Sequence, residues 1–113
     1  MPLFRKSIFL HFSLLAVLCP LAAYAALAEY EIVISDHRFQ PSVLEIPAGQ
    51  KVKLVVRNLD PTPEEFESYE LRREKIIPGG GTVIIYVGPL KAGEYPFFGE
   101  FNPETAQGRL IVK

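Results

Sequence analysis

From Glu29 onward the chain is a succession of short apolar–polar alternations, each closed by a turn rich in Pro or Gly, and no segment repeats its apolar residues at the helical period. Alternation of period two buries one face of a strand and leaves the other to water. Glu29 to Ser35 puts Tyr30, Ile32 and Ile34 on one face and Glu31, Val33 and Ser35 on the other. Val43 to Ile46 is a short second strand, ended by Pro47-Ala48-Gly49. Lys51 to Arg57 directs Val52, Leu54 and Val56 inward and Lys51, Lys53 and Arg57 outward. Asn58 to Pro63 carries two prolines and reads as a loop. Phe66 to Leu71 and Glu74 to Ile77 follow as strands, and Pro78-Gly79-Gly80-Gly81 as a turn. Thr82 to Val87, apolar on both faces, reads as a central strand. Glu94 to Phe98 and Arg109 to Val112 complete the series. Many short strands at close, even spacing indicate a sandwich or a barrel.

A sharper sign is Leu90-Lys91-Ala92-Gly93-Glu94-Tyr95, which has the Leu-x-x-Gly-x-Tyr form of a tyrosine corner. In that device a tyrosine hydroxyl bonds to backbone a few residues upstream and pins a Greek-key crossover. The competing reading is a core tyrosine after an ordinary turn.

The residues ahead of Glu29 have a different character. Arg5 and Lys6 precede an apolar run from Ile8 to Leu27, and Ala23-Tyr24-Ala25 or Ala26-Leu27-Ala28 offers small residues at cleavage spacing. A charged start, an apolar middle and a small-residue exit are those of a secretory signal. Residues 1–28 are therefore expected to be a cleaved signal peptide and 29–113 one folded domain in the periplasm. Pro20 inside the apolar run argues against a membrane span. Cleavage before Glu29 removes Cys19, Met1 and His11, so the domain keeps His37 as its lone imidazole and has no sulfur. It carries 10 basic and 13 acidic residues, a balance that argues against nucleic-acid binding. A domain this small, with no disulfide, must draw its stability from a well-packed apolar core.

Asp36-His37-Arg38-Phe39-Gln40-Pro41 through Ala48-Gly49 resembles the opening of a cupredoxin, with an aromatic-x-Pro corner leading to a strand and a Gly turn. Lys51 to Asn58 is similar to the cupredoxin strand that ends in Asn before the first copper-ligand loop. Gly93 to Phe98 resembles the approach to the copper-binding loop, and Gly108 to Val112 the closing strand. The resemblance implies an all-β, Greek-key β-sandwich (cupredoxin-like). It also locates what is missing. A blue-copper site uses two His, one Cys and often a weak axial Met. The position resembling the cysteine holds Gly99, that of the second histidine Asn102, that of the methionine Ala106, and the first histidine falls at or near Glu67. Oxygen donors in place of a thiolate shift the preference toward harder ions, so no type 1 copper is expected, and the ion that the resemblance implies is iron or copper.

Glu65 to Gly79 and Phe97 to Gly108 are more specifically similar to the exported cupredoxin-like domains that accompany bacterial iron permeases, such as the partners of Ftr-type ferrous uptake and the EfeO front domain. That similarity implies a periplasmic metal-binding component of ferrous iron uptake, with an iron permease or another uptake component as partner and contact with the membrane only through it.

Glu67 is the first candidate ligand, since a carboxylate drawn out of water needs a cation or several hydrogen bonds. The competing reading pairs it with Arg72, Arg73 or Lys75. Glu100, in the loop after Gly99, is the second candidate; together the two offer oxygen donors. Asn102 could add a carbonyl oxygen. His37 is the weakest candidate, with Asp36 placed to orient its ring. No Ser-His-acid set or nucleophilic cysteine supports catalysis; the role nearest to an enzyme is as an accessory to ferrous iron oxidation. The alternative is a metal-free β-sandwich interaction module. It would present the Arg72–Lys75 charge run, or an aromatic end at Phe97, Phe98 and Phe101, to a permease or partner protein.

Overall fold

The computed structural model describes residues 26–113; most of the expected signal peptide lies outside the described residues. Among the described residues nine strands make two mixed sheets. They are β1 (Glu29–Ser35), β2 (Arg38–Gln40), β3 (Val43–Ile46), β4 (Val52–Asn58), β5 (Glu64–Ser68), β6 (Arg73–Ile77), β7 (Thr82–Val87), β8 (Gly93–Gly99) and β9 (Gln107–Val112). One sheet has the order β2-β1-β4-β7 and the other β3-β9-β8-β5-β6. Parallel pairing of β1 with β4 and of β3 with β9 ties together segments distant in sequence, inside an otherwise antiparallel Greek-key sandwich.

The core follows from the alternation. Ile32 and Ile34 of β1 and Val52, Leu54 and Val56 of β4 are fully buried, and they face Phe66, Phe97 and Leu110 from the other sheet. Phe39, Phe66 and Phe97 form an aromatic trio. Phe66 stacks on Phe97 at 4.8 Å between ring centroids, and Phe39 meets Phe97 edge-on at 5.0 Å. Such pairs add about 0.5–1.5 kcal/mol each beyond the area they bury. The tyrosine corner is present, because the Tyr95 hydroxyl donates to the Lys91 carbonyl at 2.8 Å.

Three elements depart from expectation. Strand β2 is absent from the sequence reading. It is three residues long and is joined to β1 by a two-residue hairpin at Asp36-His37, both with left-handed φ (52° and 57°) as a type I′ turn requires. Strand β7 is an edge strand and not a central one; Ile84 and Tyr86 on its outer face are exposed, and the Lys51 ammonium lies 5.1 Å above the Tyr86 ring. Strand β5 also begins two residues earlier than expected and stops at Ser68. The Ser68 hydroxyl donates to the Pro96 carbonyl and accepts from the Leu71 amide, which turns the chain out of the strand.

Candidate functional site

The early start of β5 decides the site, because it sorts a run of glutamates onto two faces. Asn58, fully buried at the end of β4, braces the loop before it. Its side-chain amide donates to the carbonyls of Thr62 and Ile77, and its side-chain oxygen accepts from the Asp60 amide. The strand that emerges points Glu64, Phe66 and Ser68 inward, 1%, 0% and 2% exposed. Period-two geometry then sends Glu65 and Glu67 to the outer face of the five-stranded sheet.

Inside, Glu64 is held by three N–H donors. Oε1 accepts from the Glu65 amide at 3.0 Å and the Phe101 amide at 2.9 Å, and Oε2 accepts from the Asn102 side-chain amide at 2.7 Å. The loop from Gly99 to Ala106 folds over it, closed by a Gly99-to-Ala106 hydrogen bond of 2.9 Å and by the Ala106 amide on the Asn102 carbonyl. A Cβ on Gly99 would lie 2.6 Å from Glu64 Cδ and 2.6 Å from Ala106 Cβ. The three positions matched by resemblance to Cys, His and Met ligands, Gly99, Asn102 and Ala106, thus meet around one side chain. That side chain is Glu64, whereas Glu67, three residues along β5, faces the other side of the sheet. These residues do not fit a type 1 copper ion. They supply neither thiolate nor imidazole, the cradle contains N–H groups that repel a cation, and the carboxylate already fills the space beside Gly99.

Outside, a second set of carboxylates gathers. Oxygens of Glu65, Glu67 and Glu74 lie within 4.8 Å of one another. Glu67 on β5 is the direct cross-strand partner of Glu74 on β6. The Glu100 amide donates to the Glu65 carbonyl, and the Glu100 side chain is in hydrogen-bond contact with Glu67. Glu67 and Glu100 therefore lie side by side, while Asn102 turns its amide inward to Glu64. A hydrogen bond with Glu74, burial and the neighbouring charges push the Glu65 carboxyl up to about 7. Burial first, then the charges of Glu100 and Glu74, raises Glu67. The field of Glu67 leads the causes that raise the Tyr69 phenol. Carboxylates this close repel one another as anions, which favours the protonated forms of Glu65 and Glu67 and makes a cation compete with protons there.

The charge run does not neutralise the cluster. The Arg73 guanidinium donates to the backbone carbonyls of Tyr86, Leu71 and Arg72. Among the described residues no Lys or Arg makes an ion pair with Glu65, Glu67, Glu74 or Glu100. Arg72 and Arg73 do share the rim of a ≈ 350 Å³ depression with Glu67, Tyr69 and Glu74. His37 lies apart from this cluster. Its backbone amide and that of Asp36 are capped by the Asp60 carboxylate, which also lies 3.6 Å from the ring; Asp60, and not Asp36, is the acid beside the imidazole. The Thr105 hydroxyl donates to the His37 carbonyl at 2.6 Å, which places His37 against the loop that covers Glu64. Phe97 is core, so of the three aromatic residues expected at the surface only Phe101 is well exposed, with Phe98 half-buried under Tyr69.

Glu64, Glu65 and Glu74 are not among the candidate ligands the sequence offers; Glu74 enters there only within the Arg72–Lys75 charge run. The signal for Glu64 was its place directly after the prolines of the Asn58 loop; the signal for the others was the pairing of two glutamate-bearing strands.

The family model described as "Cupredoxin-like domain" matches residues 8–112. An uncharacterized protein of Rickettsia prowazekii (strain Madrid E) is 46% identical over 84 residues, covering 74% of this chain and 67% of that protein. Auracyanin A, a "blue" copper protein from Chloroflexus aurantiacus, superposes with a TM-score of 0.67 at 15% identity, covering 78% of this chain and 100% of that one. The metal-binding domain of the Cu(I)-exporting P-type ATPase of Streptococcus pneumoniae D39, with Cu(I), gives 0.66 at 15% identity, covering 75% and 84%. At these identities the two structures speak to the fold alone.

Proposed function

The chain belongs to the cupredoxin-like domain family, and from that footing we propose that it is an exported metal-binding component of ferrous iron uptake that holds its ion through carboxylates on the outer face of the sandwich. The observation that supports this most is the convergence of Glu65, Glu67 and Glu74 within 4.8 Å. Glu100 stands against Glu67, Arg73 donates to backbone carbonyls, and among the described residues no Lys or Arg makes an ion pair with the cluster. A set of oxygen donors suits ferrous, manganous or cupric ions better than cuprous ion. The hand-over partner in this reading is a permease or another uptake component, and the compartment is the periplasm, reached through cleavage of residues 1–28. Calorimetric titration with ferrous iron and cupric copper tests it. The Glu67→Gln/Glu100→Gln double variant should lose binding, and unchanged affinity would remove the site. In the native host, deletion of the gene should lower ferrous uptake.

A second reading, a metal-free interaction module, has one observation in its favour. The interior position is satisfied by Glu64 and Asn102 without any ion, while Tyr69, Ile76 and Phe101 stay exposed on the outside. No change in unfolding temperature with any of these ions, together with co-purification with a membrane partner, would favour it.

A further inference from the structure

We propose that the Glu64 carboxylate is the fold's resident substitute for an internal metal ion, an anionic strut that clasps the Gly99–Ala106 loop to β5 and closes the interior of this domain to metal.

The cupredoxin resemblance places the copper ligands of such a sandwich after the Asn loop and in the loop between the last two strands. Here Glu64 joins those two places with hydrogen bonds. Its carboxylate reaches from the first residue of β5 to Phe101 and Asn102, 37 and 38 residues later, at 2.9 and 2.7 Å. Its three partners are all donors, so the cradle has the polarity of an anion site. Removal of the carboxylate leaves N–H groups facing an empty space, an arrangement that attracts a small anion and repels a cation. The loop is shaped to the strut. Gly99 has no Cβ, and one placed there would meet Glu64 Cδ and Ala106 Cβ at 2.6 Å; Ala106 itself is fully buried. The proposal is independent of the outer-face cluster, which involves other side chains.

The test is thermal unfolding of the mature protein and three variants. Glu64→Gln turns an acceptor into a donor against existing donors and should lower Tm by about 10 °C or more. Asn102→Ala should lower it by less, and its cost should nearly vanish in the Glu64→Gln background. In Glu64→Gly, sodium formate should raise Tm by several-fold more than sodium chloride at equal ionic strength, because formate re-enters the cradle. Any rise in wild-type Tm caused by ferrous, cupric or cuprous ion should persist in Glu64→Gln. A Glu64→Gln variant as stable as wild type would overturn the proposal. So would a metal-induced rise that Glu64→Gln abolishes and Glu67→Gln leaves intact. If the Glu64 variants do not fold, amide hydrogen exchange in Asn102→Ala decides. Faster exchange at Phe101 supports the strut, and unchanged exchange contradicts it.

Discussion

Glu67 on β5 and Glu74 on β6 occupy directly opposed positions in the antiparallel ladder, a like-charge pair held at cross-strand distance with Glu65 and Glu100 beside it. Like charges at that position cost stability in water. The sandwich keeps them because the inner faces of the same strands bury Phe66 and Ile77 completely.

That arrangement predicts a stability that falls as pH rises. A carboxyl whose folded-state pKa exceeds its unfolded value binds more protons in the native state across the interval between them, so stability is full below the lower value and is lost through the higher one. For Glu65 the interval runs from 4.5 to about 7. Unfolding midpoints measured in denaturant should decline between pH 5 and pH 8, and Glu65→Gln should flatten that decline.

Cation uptake at the cluster should release protons. Calorimetry of manganous ion in two buffers of different ionisation enthalpy near pH 6.5 should show a buffer-dependent heat, and affinity should rise with pH until the competing protons have left. Equal heats in both buffers would separate binding from these carboxyls.

Gly99→Cys alone should give a destabilised protein with no intense thiolate-to-copper absorption, because the new Cβ meets Glu64 Cδ and Ala106 Cβ at 2.6 Å. Replacing all four positions together, as Glu64→His, Gly99→Cys, Asn102→His and Ala106→Met, should restore that absorption on adding cupric ion. The same set with Glu67→His in place of Glu64→His should not.

Tyr95→Phe removes the hydroxyl bond to the Lys91 carbonyl while keeping the ring against the core. It should cost about 1 kcal/mol, or roughly 5 °C in Tm.

The strands of the core were legible because their alternation is apolar against charged; Val52, Leu54 and Val56 could face only one way. The tyrosine corner was legible for a similar reason, as spacing alone specifies it. Strand β7 misled because Val83 and Ile85 inside and Ile84 and Tyr86 outside are equally apolar, and edge position depends on neighbours far away in sequence. Strand β2 was hidden by a hairpin turn built from Asp36 and His37 without the glycine that usually marks it. Among the carboxylates, Pro63-Glu64-Glu65-Phe66-Glu67 does not reveal which glutamate faces in until the first residue of β5 is known. The place of Glu74 opposite Glu67 depends on a register that only the folded ladder sets.

The most direct measurement locates the ion. Manganous ion added in small portions to isotopically labelled protein broadens the amide signals nearest to where it rests. The account predicts that Glu67, Glu74 and Lys75 on the outer face fade first, while Phe39, Ala106 and Leu110 inside the sandwich persist. Early loss of the Phe39, Ala106 and His37 signals with Glu74 and Lys75 intact would contradict it, because the ion would then sit at the end of the sandwich that Glu64 is held to close.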